Sequence, residues 1–242
     1  MDSVLYTIVI AIAFLFAAVG HGGGSGYIMV LTLYQFPITS IKTSCLLLTL
    51  LVSGIAFIRY YRKGHFDWKK YIAFASTSIP AAFLGGMLPF QETFYKKAIG
   101  IFLLITILFI LDLIPLKKTK ERVIHYPFAA FLGLIIGFVS GSIGIGGGIL
   151  LSPIILVLGW SSMKETAGIS ALFIFFNSLS ALGGVYLSSQ IVVHPELPFW
   201  TFAAFSGGIL GAWFGSSFAS VKSLKFILSG VLFISSLKLL WL

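Results

Sequence analysis

Ten apolar runs separated by short polar stretches fill most of the chain. They are Val4–Val19, Tyr27–Phe36, Thr43–Ile58, Tyr71–Phe90, Ala98–Leu116, Tyr126–Val139, Ile149–Trp160, Thr166–Leu187, Leu197–Phe218 and Leu224–Leu242. A helix needs about 20 apolar residues to cross the hydrocarbon, and runs of 10 to 12 are too short. The pattern predicts an all-α membrane protein with two elements that stop part-way, Tyr27–Phe36 and Ile149–Trp160. Each follows a glycine break, Gly20-His21-Gly22-Gly23-Gly24 or Gly144-Ile145-Gly146-Gly147-Gly148, and each ends in a turn with a lysine just beyond, Lys42 or Lys164. Val4–Val19 reads as the first membrane element. Asp2 stands where a signal peptide has basic residues, and no small-residue cleavage site follows.

Gly144 lies 124 positions after Gly20, so each half of the 242-residue chain carries one break at nearly the same place. Non-helical backbone in lipid leaves N–H and C=O groups unpaired, and it survives only inside protein or against a water-filled cavity. Breaks repeated by halves therefore predict a transporter-like site at the breaks. Two threadings fit. With four full crossings per half the repeats are parallel, and Lys and Arg divide ten to six between the faces. With a re-entrant hairpin at each break plus three crossings, the halves are inverted. One face then holds Arg59, Arg62, Lys63, Lys69, Lys70, Lys117, Lys118, Lys120, Arg122, Lys164, Lys222 and Lys225. Only Lys42, Lys96, Lys97 and Lys238 of the sixteen remain opposite. The excess of positive charge on cytoplasmic loops favours the inverted form. The expected organisation is a first repeat over 1–116, a basic cytoplasmic linker over 117–125 and a second repeat over 126–242.

Composition strengthens the membrane reading. Apolar residues make up 58% of the chain, charged residues 10%, and the mean hydropathy is +1.05. Soluble domains carry roughly a quarter charged residues. The net charge of +9 is spread between apolar runs rather than gathered on one face, which argues against nucleic acid. A lone cysteine, Cys45, excludes an intrachain disulfide and a cysteine metal cluster, and it reads as a small buried apolar residue. No paired-carboxylate, His/Cys metal spacing, GxSxG or P-loop pattern appears, so neither an enzyme nor a cofactor is expected.

The candidate chemistry lies in the breaks. Each opens a short helix, whose N-terminus presents unpaired N–H donors and partial positive charge to an anion. Glycine lets a ligand approach those amides without a Cβ in the way. Gly20, Gly22, Gly23, Gly24, Gly144, Gly146, Gly147 and Gly148 are therefore candidate binding residues, set against the alternative that they only permit close helix packing. His21 is the only histidine inside an apolar segment; it either holds the anion or a coupled proton, or it orients the loop through hydrogen bonds. Ser25 and Ser142 flank the loops. Thr43, Ser44, Ser170 and Asn177 lie on the helices that follow the short ones. Hydroxyls in helices often bond the preceding turn, whereas an amide such as Asn177 needs several partners. Asp112 is expected near an interface and Glu165 beside Lys164. Neither builds the oxygen cage a metal ion needs.

The phrase Gly144-Ile-Gly-Gly-Gly-Ile-Leu-Leu-Ser-Pro153 resembles the GxGGGxxxxP motif of the sulfite exporter TauE/SafE family. The resemblance extends over the chain through the two-half organisation, Thr166-Ala-Gly-Ile-Ser170 with Asn177, Leu84-Gly-Gly86 and Gly207–Gly215. It implies secondary transport of small sulfur-containing or organic anions at the cell membrane. The first copy departs from the motif, with Met29 in the position of Pro153 and His21 in that of Ile145, so the halves are not expected to contribute equally. An anion channel would use the same facing helix ends. A membrane enzyme or assembly subunit is the third class, separable by flux in liposomes. The expected partners are a small anion and the lipid bilayer, with proton coupling through His21; a homo-oligomer is compatible with this composition.

Overall fold

The computed structural model describes residues 3–88 and 123–218 continuously, with isolated positions between 97 and 108 and between 220 and 237. Asp112, the basic linker and most of the runs Ala98–Leu116 and Leu224–Leu242 lie outside the described residues. Every regular element described is a helix: α1 (Ser3–Ala18), α2 (Gly24–Leu33), α3 (Ile38–Arg62), α4 (Trp68–Gly86), α5 (Tyr126–Ile143), α6 (Gly148–Val157), α7 (Met163–Leu187) and α8 (Leu197–Ser217). Of these, α3 from Thr39, α5, α7 and α8 are long and apolar enough to cross a membrane. Large apolar side chains stay uncovered on outward faces, Phe199 at 64% and Phe202 at 74% exposure, as lipid-facing positions do.

Several helices outrun their apolar runs because polar residues finish them. Arg59 and Arg62 occupy the last turn of α3, where cations offset the helix dipole. The Asp67 carboxylate accepts the Lys69 and Lys70 amide hydrogens at 2.7 and 3.2 Å and caps α4. Ser162 caps α7 by accepting from the Glu165 amide at 3.4 Å.

Glycine stripes join the long helices in pairs. Gly207, Gly211 and Gly215 of α8 lie against the carbonyls of Ile10, Phe14 and Ala18 of α1. Gly133, Gly137 and Gly141 of α5 lie against those of Phe74, Ser78 and Ala82 of α4. Contacts advance together along both members, so each pair runs in one direction. A Cβ at any of these glycines would strike backbone, which is why small residues hold the seams.

The remaining contacts orient the pairs. Tyr60 lies by Gly168 and Gly54 by Phe175, so α3 and α7 run oppositely. Lys70 pairs with Glu165, Ser78 bonds Asn177, and Gly184 packs on the Phe83 carbonyl, so α4 runs with α7. At one end Tyr6 bonds Glu196 at 3.1 Å, Phe36 packs on His194 and Trp200, and Gln190 bonds the Met87 carbonyl. Helices α1, α3 and α8 start there. The opposite end gathers Arg59, Arg62, Lys63, Lys69, Lys70 and Lys164, and there α4, α5 and α7 start. Helix α2 returns to the end from which α1 set out, and α6 returns to the start of α5, where Trp160 meets Phe74 and Phe128.

Candidate functional site

The two glycine loops meet inside this frame. In the first, the His21 N–H donates to the Phe16 carbonyl at 2.8 Å, and Gly23 (φ +87°) turns the chain into α2. In the second, Gly144 (φ +90°) closes α5 by donating to Ser140, and Gly147 (φ +79°) turns into α6. The left-handed region costs a residue bearing a Cβ about 1–2 kcal/mol, so glycine is required at the two turning points. The loops touch: a methyl group on Gly24 would lie 2.9 Å from both the Ile145 carbonyl oxygen and Thr49 Oγ1. The short helices begin ahead of their apolar runs, at Gly24, three residues before Tyr27, and at Gly148, one before Ile149.

Polar side chains converge on this meeting point from both halves. His21 Nδ1 lies 2.9 Å from the Val19 carbonyl, and Nε2 lies 3.0 Å from Ser152 Oγ. Ser152 Oγ is in turn 2.7 Å from Ser170 Oγ. Around them Tyr27 lies against Gly23, Thr49 against Gly24 and Ser178 against Gly146. The hydroxyls of Ser25, Tyr27, Thr49 and Ser178 are buried with no hydrogen-bond partner among the described residues. A buried unpaired polar group costs about 1–3 kcal/mol, so a ligand rich in acceptor oxygens would be stabilised by these donors.

Other expected site residues fall differently. Gly20 packs on Ala167 and Gly148 on Ile174. Ser142 turns toward α4 beside Gly85 rather than into the loops, because α5 presents that face to the glycine seam. Thr43 donates to the Thr39 carbonyl at 3.4 Å, the ordinary bond of a helix threonine, and Ser44 is buried without a partner among the described residues. Asn177 Oδ1 accepts from Ser78 at 2.7 Å, linking α7 to α4. Glu165 pairs with Lys70, 3.0 Å away, rather than with its neighbour Lys164, since successive residues on a helix do not face each other.

Lys42 is the largest departure. Expected as a flanking lysine beyond a turn, it is buried in the first turns of α3. Its stem packs on Gly144, and its Nζ donates to the Gly86 and Leu88 carbonyls at 3.0 and 3.3 Å. Gly86 is the last residue of α4 and Leu88 lies just past its C-cap, Met87, so the cation sits at the helix's C-terminal end, where it is favoured. Among the described residues no three His, Cys, Asp or Glu side chains gather as metal ligands.

Comparison with known proteins fits this architecture. A family model described as sulfite exporter TauE/SafE matches residues 5–239. The chain belongs to the TauE/SafE family. It is similar to the probable membrane transporter protein y4hK of Sinorhizobium fredii, 36% identical over 95% of this chain and 94% of that protein. The probable membrane transporter protein ORF9 of a Sinorhizobium species is 30% identical over 89% of this chain and 86% of its own. YunE of Bacillus subtilis, also a probable membrane transporter protein, is 27% identical over 78% and 73%. No solved structure matches. As a TauE/SafE member the chain is a membrane transporter, multi-pass in the cell membrane.

Within this family member, sequence reasoning missed Ser152, Thr49, Tyr27, Ser178 and Lys42. Ser152 stands four residues after Gly148, one helical turn into α6, and that spacing was the available signal. The others carry none, because their relevance comes from the opposite half packing against them.

Proposed function

We propose that the chain is a secondary transporter of small oxyanions, of the sulfite, thiosulfate or sulfoacetate type, held between the two glycine loops. The observation that carries this reading is the meeting of two left-handed glycine loops amid buried hydroxyl donors contributed by both halves. Amide and hydroxyl donors without a fixed positive cage suit an oxyanion that distributes its charge over several oxygens. The sulfur class follows the family's description as sulfite exporters.

The same reading includes inverted repeats, 1–116 and 126–242, joined by a cytoplasmic linker over 117–125. Helices α1, α3 and α4 start at ends opposite to those of their counterparts α5, α7 and α8, which supports inversion. Each of α1–α2 and α5–α6 leaves and regains one end, which supports re-entrant hairpins reaching the loops from opposite faces. The end bearing Arg59–Lys70 and Lys164 is cytoplasmic by the positive-inside rule. Outward movement of one negative charge then gains about 2.3 kcal/mol per 100 mV of interior-negative potential, which favours export without a coupled ion.

Counter-exchange in proteoliposomes, run against sulfite, thiosulfate, sulfate, sulfoacetate and acetate, tests the substrate class. Saturable exchange of the sulfur oxyanions over acetate is expected, and a protein that moves none of the panel is not this transporter. Cysteine labelling from each face tests the threading. Reaction of a cysteine at Lys69 from outside would overturn it.

A further inference from the structure

We infer that His21, Ser152 and Ser170 form a hydrogen-bond relay that ties protonation of the imidazole to capture of an oxyanion by the serine hydroxyls. The inference rests on the anion-transport reading and adds to it the group that senses the proton and the two that transmit it. The relay crosses the molecule: the imidazole belongs to the first glycine loop, while Ser152 on α6 and Ser170 on α7 belong to the second half.

Counting hydrogens gives the mechanism. The Val19 carbonyl can only accept, so the hydrogen of the neutral ring sits on Nδ1 and donates to it. Nε2 then offers a lone pair, and the Ser152 hydroxyl donates to it. Ser152 Oγ accepts in turn from the Ser170 hydroxyl. These three links use three hydrogens. A proton added at Nε2 turns that nitrogen into a donor toward Ser152 Oγ. The same three links now share four hydrogens, so one serine hydroxyl must turn its hydrogen out of the chain. The product is a positive ring beside a newly freed O–H donor, and an oxyanion satisfies both at once. Protonation and anion binding therefore reinforce each other, and affinity rises as pH falls through the imidazole range.

The surroundings favour this group as the one that titrates. Ser152 and Ser170 are buried, while His21 is half-buried and open to proton exchange. Helices α6 and α8 and the second glycine loop bring no ionisable side chain. Helix α2 brings Tyr27, and α3 brings buried Cys45 and Tyr60, whose hydroxyl donates to the Ala18 carbonyl at 3.0 Å. Helix α3 also brings Lys42, whose stem packs on Gly144 while its Nζ donates to the Gly86 and Leu88 carbonyls. Lys42 is therefore the one cation that faces the loops beside the imidazole among the described residues. The two tyrosines are phenols, uncharged at physiological pH. The ionisable residue of α1 is Tyr6, at the far end on Glu196. His65 lies in the loop whose carbonyl packs on Gly168, and on α7 Glu165 is paired with Lys70 beside exposed Lys164.

Thiosulfate flux by the full-length protein in proteoliposomes is the test, since this anion keeps its charge over the relevant range. Wild-type KM should rise roughly tenfold from about pH 5.5 to about pH 7.5, the range in which an imidazole changes charge. His21→Gln and Ser152→Ala should both flatten that dependence, although the second keeps the histidine. Ser152→Thr, which restores the hydroxyl, should recover it. Proton uptake on adding thiosulfate to weakly buffered protein in detergent reads the relay without flux: wild type takes up protons and Ser152→Ala does not. Wild-type flux with an unchanged pH slope and full proton uptake in Ser152→Ala overturns the relay alone. Absence of flux for every anion overturns the transport reading, and the relay with it.

Discussion

The two glycine loops share left-handed turns at Gly20 and Gly144 and at Gly23 and Gly147, and they differ in charge. Each has glycine at matching positions, a left-handed turn into a ten-residue helix and close packing on α3 or α7. The first carries His21 and reaches across to Ser152. The second has Ile145 at that position and is flanked instead by Lys42, which α3 of the first half supplies. His21 and Lys42 thus both come from the first half of the chain, whereas Ser152 and Ser170, which bond the imidazole in series, come from the second. The turn recurs in both loops, while the polar groups around them differ.

Breaking the shared part should have the largest effect. Gly23→Val and Gly147→Val each place a β-branched residue in the left-handed region, against Tyr27 and Ser140 respectively. Transport should fall more than about a hundredfold in both, since the strain of roughly 1–2 kcal/mol is joined by displacement of the loop, while membrane insertion persists. Flux and membrane abundance check this together, and loss in only one variant would mean that the loops are not equivalent in use.

Removing the second loop's cation comes next. Lys42→Met leaves the Gly86 and Leu88 carbonyls without their donor and should destabilise the protein by about 1–3 kcal/mol, visible as a lower melting temperature. It should also weaken apparent anion affinity several-fold, and Lys42→Arg should restore much of both. Retention of wild-type stability and KM in the methionine variant would make the lysine incidental.

Smaller effects sharpen the contrast between α3 and α7. Asn177→Ala strips the Ser78 hydroxyl of its acceptor and should cost about 1–2 kcal/mol. The counterpart Ser53 only bonds the Leu50 carbonyl of its own helix, so Ser53→Ala should cost under about 0.5 kcal/mol. Thermal melts compare them directly. Lys70→Ala should matter least, within about 1 kcal/mol and about twofold in flux, because partly exposed ion pairs contribute little.

The sequence made the skeleton readable because its signals were local. Run lengths marked the membrane helices, and the glycine breaks marked both short ones. Ends were less legible: α3 continues through Arg59 and Arg62, and α4 starts at a cap, Asp67, outside any apolar run. The matching glycine spacing and the short run after each break mark the loops as candidates in the sequence. Their surroundings were not, since Lys42 and Ser142 looked alike as polar residues near a break. Only packing sends one to the carbonyls of α4 and the other to the seam beside Gly85.

The glycine seams also constrain how the protein is made. Helix α1 leaves the ribosome well before α8, yet the surface that covers its Ile10, Phe14 and Ala18 carbonyls is on α8, nearly two hundred residues later. Gly20 likewise waits for Ala167. Helix α1 must therefore sit in the bilayer with a bare flank until α8 has been made. Such long-range closure is slow, and it leaves the nascent chain dependent on late segments to protect early ones.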